Sequence, residues 1–290
     1  ARDLDLPAFQ LARRPVTNAE FACFIAAGGY QDETWWQTDL ARRWLHGEDV
    51  AGGQMKSWLD IWQVLHDNPN WKQNVTGVWS PQQIKTYEYA ASLTREELIA
   101  WLSKSLQTKS RTGPAFWQRA GWNEPNQPVT GLTWFEASAY CAWLSAVTSQ
   151  PYRLPPEPYW EAAARGPLVP PSPEGGAVYP WGPTWDPACA NTLEGRLMRP
   201  SPVGAYVAAG GVGPNGAEDQ SGNVYEWTAS LYLPYPYNPA AAEQPEAEGE
   251  RTLRGGAWGS DRRLARSAYR FRYVPGDFNY TLGFRLFSPG

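Results

Sequence analysis

The chain has 290 residues, 42% of them hydrophobic and 19% charged, with a formal net charge of −4. That length buries a sizeable core without disulfide staples, and the charge balance excludes a disordered chain and a bulk polyanion binder. Three cysteines without CxxC spacing and only two histidines, His46 and His66, argue against a zinc ribbon, a Ser-His-Asp triad and a multi-histidine metal site. In chain order, the first element is a helix opened by the capping box Thr17-Asn18-Ala19-Glu20, carried by Phe21, Phe24 and Ile25, and stopped at Gly28-Gly29. A stretch from about 32 to 112 then changes character. It contains all five lysines and both histidines, and it reads as a helical insertion. Trp58, Leu59, Ile61, Trp62 and Leu65 recur at helical spacing before Asn68-Pro69. A second helix starts at Ser80-Pro81, and a third begins with Thr94-Arg95-Glu96-Glu97 and carries Leu98, Trp101, Leu102 and Leu106 on one face.

Beyond the insertion, Thr133-Trp134-Phe135-Glu136 opens the next helix, and a short one runs from Tyr159 to Arg165 before Gly166. From about 167 the helical period gives way to short alternating segments among Gly, Pro and Asn, and 238–250 reads as an exposed acidic loop. The fold class is therefore α+β: two main helices, short antiparallel sheets and many loops, with a core built from 17 Trp, 15 Tyr and 9 Phe. No run reaches the length of a membrane span, and the first residues lack the apolar core of a signal peptide. The expectation is a soluble protein, cytoplasmic or exported with a trimmed leader.

Several motifs in order carry a family resemblance. They are Pro15-Val16-Thr17-Asn18-Ala19-Glu20-Phe21, Pro128-Val129-Thr130-Gly131-Leu132-Thr133-Trp134, Arg153-Leu154-Pro155, Tyr179-Pro180-Trp181-Gly182, Gly222-Asn223-Val224-Tyr225-Glu226-Trp227, Arg254-Gly255-Gly256-Ala257-Trp258 and Gly283-Phe284-Arg285. With them the chain resembles the formylglycine-generating-enzyme (sulfatase-modifying factor) family, whose domain is an elaborated C-type-lectin-like fold. The resemblance implies a single domain over 1–290, interrupted by the 32–112 insertion and ending in a display segment at 254–287.

The oxidising members of that family hold copper with a cysteine pair after the RGGSW-like motif. Here Gly259-Ser260-Asp261 follows Trp258, and no cysteine occurs after Cys189. The related iron-dependent sulfoxide synthases use three histidines, and this chain has two. Sequence reasoning therefore expects a protein that is not an enzyme, with an enzyme of either type and altered active site as the alternative. The segment between RGGAW and LGFRLF is most similar to the variable proteins of diversity-generating retroelements. Adenine mutation of their AAY codons never yields Lys, Glu, Gln, Met or Trp, and none of these occurs between Gly259 and Thr281.

The expected function is ligand binding through an aromatic-rich terminal surface. Tyr269, Phe271 and Tyr273 share one strand face at its centre, Asp277, Phe278, Asn279, Tyr280 and Thr281 lie on the neighbouring loop, and Ser260, Asp261 and Arg262 form the edge. The expected partner is a macromolecule, a protein rather than a nucleic acid, with the 32–112 insertion as a docking surface for another domain or subunit. No cofactor is required. Family likeness also allows a structural calcium, held by Asn191, Thr192, Asn223 and Glu226.

Overall fold

A computed structural model describes residues 4–48, 53–75, 81–105, 111–166 and 177–290. The chain enters through strand β1 (Phe9–Leu11) and helix α1 (Asn18–Ala26). Both halves of the capping box form: the Thr17 hydroxyl accepts from the Glu20 amide at 3.3 Å, and the Glu20 carboxylate accepts from the Thr17 amide at 2.7 Å. The residues that start the helix thus satisfy its first free donors themselves.

Helix α2 (Asp39–Leu45) follows, with Ala41, Trp44 and Leu45 buried in the main core. Its two turns are too short for apolar periodicity to announce them. Next come α3 (Gly53–Asp67), α4 (Trp71–Val75), α5 (Pro81–Ser92) and α6 (Arg95–Ser105); the spacing predicts α3, α5 and α6, whereas α4 is a short helix beyond Asn68-Pro69 that it does not announce. The Ser80 start and Leu106 lie outside the described residues. Helices α3, α5 and α6 have a small core of their own, in which Ala90, Leu98 and Leu102 are buried and Trp58, Leu59 and Trp62 pack against them. Trp62 Nε1 donates to the Leu93 carbonyl at 3.0 Å, which satisfies the polar edge of a half-buried ring.

The main core is aromatic. On α1, Phe21 stacks on Tyr140 of α7 (Trp134–Thr148) at 5.3 Å, and Phe24 packs beside Trp143 of the same helix. After α8 (Glu157–Arg165), loops lead to β2 (Tyr225–Leu231), α9 (Pro239–Ala242), β3 (Arg251–Arg254), β4 (Phe271–Tyr273), β5 (Leu282–Gly283) and β6 (Phe287–Pro289). Four strands form one sheet in the order β4-β3-β2-β5, antiparallel except for the β2 and β5 pair, while β6 returns to β1. This is the loop-rich α+β architecture that the sequence implies.

The acidic stretch at 238–250 is more than an exposed loop. It contains α9, whose Ala242 is buried, and its carbonyls at Gln244, Pro245 and Ala247 accept hydrogen bonds from the Arg251 guanidinium. Arg251 is 1% exposed and lies over the Trp134 ring at 4.3 Å. A buried cation needs acceptors, and folding the loop back supplies them.

Candidate functional site

Beneath the terminal segment runs a buried ionic chain. Arg285 holds Glu226 with two bonds of 2.6 Å, and Trp160 Nε1 donates to the same carboxylate at 2.6 Å. Trp160 lies against the Arg254 guanidinium, which donates to Glu161 at 2.6 Å and to the carbonyls of Ser267, Ala268 and Tyr269. Arg254 thereby fixes the backbone that leads into β4, so the following side chains are presented from a rigid base.

Arg270, just before β4, donates to both carboxylate oxygens of the buried Glu157 at 2.6 and 2.8 Å, with its guanidinium over the rings of Tyr232 and Tyr235 at 4.5 and 4.6 Å. Phe271 stacks on Tyr225 at 5.4 Å and meets Tyr273 edge to face at 5.2 Å. Arg272 pairs with Glu250 at 2.7 Å and also lies over the Tyr232 ring, at 4.6 Å.

Residues 269–274, with Tyr232 and Glu250, line a cleft of about 400 Å³. Tyr232, Tyr269, Phe271 and Tyr273 supply its rings, while Glu250, Arg270, Arg272 and Asp277 supply charge of both signs. Asp60, from α3, also lines it, so the helical stretch forms part of the site wall rather than standing apart from it. Burial, reinforced by the Asp277 carboxylate, pushes the Tyr273 hydroxyl up to about 12, so the phenol is a hydrogen-bond donor across the physiological range.

Of the residues expected at the binding surface, the structure brings Tyr269, Phe271, Tyr273 and Asp277 together in this cleft. The rings of Tyr269, Phe271 and Tyr273 are half-buried and pack against the main core, while Asp277 is buried rather than on an exposed loop. Phe278 and Tyr280 join a second aromatic group, with Phe116 beside both and Trp122 and Trp258 beside Tyr280. Asn279 is used locally, its side chain accepting from the Thr281 amide at 2.8 Å and from the Thr281 hydroxyl. Ser260 is a buried turn residue, not a surface edge, because its hydroxyl accepts from the Ala257 amide at 3.0 Å. Asp261 accepts from the Arg263 amide and guanidinium, and Arg262 is exposed. Sequence reasoning missed Tyr232, Glu250 and Asp60, which reach the cleft from segments far from β4.

The expected calcium ligands occupy a hydrogen-bonded loop junction. Asn223 accepts from the Ser201 amide at 3.0 Å, Asn191 donates to the Arg199 carbonyl at 3.0 Å, and Thr192 donates to Glu194 at 2.7 Å. Gly222 is required here, since a Cβ would sit 2.3 Å from the Asn191 carbonyl oxygen at φ +80°. Glu226 does not join Asn191 and Thr192 in an oxygen cage, because Arg285 and Trp160 saturate it. Among the described residues no three His, Cys, Asp or Glu side chains converge as metal ligands. His46 meets Glu33 at 3.0 Å and His66 meets the Trp62 carbonyl at 3.0 Å, on separate helices. Cys141 and Cys189 are buried, and burial pushes both thiols up, away from the thiolate that copper requires. The described residues therefore fit neither the copper pair nor the iron histidines of the related enzymes.

The model of the sulfatase-modifying factor enzyme 1-like domain matches residues 1–288, the helical stretch included. The chain belongs to this family. Its fold is accordingly the C-type-lectin-like fold of formylglycine-generating enzymes. Hercynine oxygenase of Mycolicibacterium thermoresistibile is 32% identical over 282 residues, covering 93% of this chain and 48% of the relative. The inactive C-alpha-formylglycine-generating enzyme 2 of Mus musculus is 32% identical over 233 residues, covering 67% of each protein. Among solved structures, the Treponema denticola variable protein 1 is similar with a TM-score of 0.47 and 20% identity, over 61% of this chain and 75% of that one. The chain spans about half the length of the hercynine oxygenases it matches. These oxygenases overturn the expectation that the chain is not an enzyme: the missing cysteines and histidines remove particular ligand sets, but proteins named as enzymes share nearly all of its length. Among the described residues no helix is long and apolar enough to cross a membrane.

Proposed function

We propose that the chain is the formylglycine-generating-enzyme-type part of an enzyme related to the hercynine oxygenases, and that the cleft beside β4 binds its small-molecule substrate. The observation that carries this reading is the cleft itself: four rings and charges of both signs converge on a concavity of about 400 Å³ whose backbone Arg254 holds from below. A mostly aromatic concavity with a few placed polar groups is the usual form of a small-molecule site. The rings would cover a planar or apolar body, while the Tyr273 hydroxyl and the carboxylates of Asp60 and Asp277 would orient its polar groups. No redox step is assigned to the described residues, since they do not form a metal site.

Calorimetric titration with hercynine, the compound in the relatives' name, tests the reading. Phe271→Ala and Tyr273→Ala should each weaken binding by at least about tenfold, or about 1.4 kcal/mol. Binding that survives their joint replacement would reject the cleft as the site.

A second reading is favoured by the composition of 259–281, which lacks the five residue types that adenine mutation of AAY codons cannot produce. On this reading the terminal face is a diversified surface for a protein ligand. A reverse transcriptase gene and a near-copy of the codons for 258–285, differing at adenines, beside this gene would support it, and the absence of both would remove it.

A further inference from the structure

A second surface lies beside the terminal segment and is separate from the cleft. Of the eight large hydrophobic side chains most exposed among the described residues, three fall in one short loop: Leu193 at 43%, Leu197 at 38% and Met198 at 44%. Exposed apolar side chains scattered singly need no explanation, but a cluster does. The loop is held in place by its neighbours. The Leu193 amide donates to the Ser260 carbonyl at 2.9 Å, Glu194 accepts from the Arg262 amide at 2.8 Å, and Asn191 anchors the far end at the Arg199 carbonyl.

The backbone adds a second observation. Arg196 and Met198 adopt φ of 54° and 57°, the left-handed region that favours glycine. The loop thus holds two non-glycine residues in backbone conformations that cost free energy, while its apolar side chains stay exposed. The surrounding charge is one-sided. Arg196, Arg199, Arg262, Arg263 and Arg266 are all exposed on this loop and the adjoining turn, where the carboxylates are Glu194 and Asp261. Asp261 is engaged by Arg263 at 2.6 Å. This basic face sits on a chain whose net charge is −4, and none of its cations is a lysine. Arginine and methionine are enriched in the cores of protein interfaces, and lysine is depleted there.

We propose that the Leu193–Arg199 loop and the Asp261–Arg266 turn form a docking surface for an acidic protein segment with apolar side chains, independent of the substrate cleft. Leu197 and Met198 enter the apolar part of the partner, and the arginines pair with its carboxylates, a geometry that guanidinium forks suit.

The test uses the full chain and fluorescence anisotropy with three labelled peptides: one alternating Glu with Leu, its Gln counterpart and its Lys counterpart. The Glu peptide should bind at least about tenfold tighter than the Gln peptide, and its affinity should fall as salt is raised. Arg196→Glu combined with Arg199→Glu, and separately Leu197→Ser combined with Met198→Ser, should each weaken it by about tenfold or more. Phe271→Ala, in the cleft, should leave it unchanged. Near-UV circular dichroism checks folding, and the milder Arg199→Gln and Met198→Gln replace any variant that fails that check. Equal binding of the Glu and Gln peptides, absence of binding, or unchanged affinity in the loop variants would overturn the proposal. Tighter binding of phosphatidylserine vesicles or of oligothymidine through the same arginines would also overturn it, reassigning the face to lipid or nucleic acid.

Discussion

Trp227 and Tyr273 are both aromatic, and the structure separates their roles. Trp227 is completely buried in β2, with Nε1 donating to the Leu132 carbonyl, whereas Tyr273 keeps one side toward the cleft. Trp227→Ala should therefore cost about 3 to 5 kcal/mol in denaturant melts, as a lost core aromatic does, and Tyr273→Ala about 1 to 2 kcal/mol. Equal losses would mean that the cleft rings are core. Asp219 offers a prediction of different kind. Burial raises its carboxyl to about 6, against which the Gly204 amide and Arg285 act in the lowering direction. An unfolded Asp titrates near 4. Between these values the folded chain holds a proton that the unfolded chain releases, so stability falls as pH rises from about 4 to about 6. Asp219→Asn should flatten that part of the profile of melting temperature against pH, and parallel profiles for variant and parent would contradict it.

The helices α3, α5 and α6 and the helices α1 and α7 belong to different packing units. Leu98 is fully buried, but among Ala90, Leu102 and the tryptophans of its own cluster, not in the main core. Leu98→Ala should remove about 2 to 4 kcal/mol from that cluster. Hydrogen exchange should then accelerate in α3, α5 and α6 while α1 and α7 keep their protection; uniform acceleration would show one cooperative unit instead. The sequence made these helices legible because capping boxes and apolar spacing are local signals: Thr17, Thr94 and Thr133 all cap the helices expected of them. The strands were less legible. β4 and β5 span three and two residues, and they exist through long-range pairing that no short window contains. The cleft was half legible for the same reason. Tyr269, Phe271, Tyr273 and Asp277 share one segment, whereas Asp60, Tyr232 and Glu250 meet them only after the chain folds.

In the molecule as a whole, order is carried by loops pinned with buried arginines more than by extended sheets. Arg251, Arg254 and Arg285 are each almost fully buried, and each ties carbonyls from segments distant in sequence. Breaking such a pin leaves a desolvated charged or polar group without its partner, which is why these arginines are structural. Arg266, by contrast, is exposed and donates to the nearby Arg263 carbonyl. The closure of β1 on β6 brings a further consequence. Phe9 is in register with Pro289, and the Gly290 amide donates to the Ala8 carbonyl at 3.0 Å. The antiparallel pairing places Ala8 and Gly290 side by side, within reach of a short turn, so a connection there costs little loop entropy. A circular permutant with Ala8 and Gly290 bridged by a short glycine linker, and new ends between Glu246 and Gly249, should fold with the same near-UV spectrum; a permutant that stays unfolded would show that the β1 and β6 pair must form from free ends.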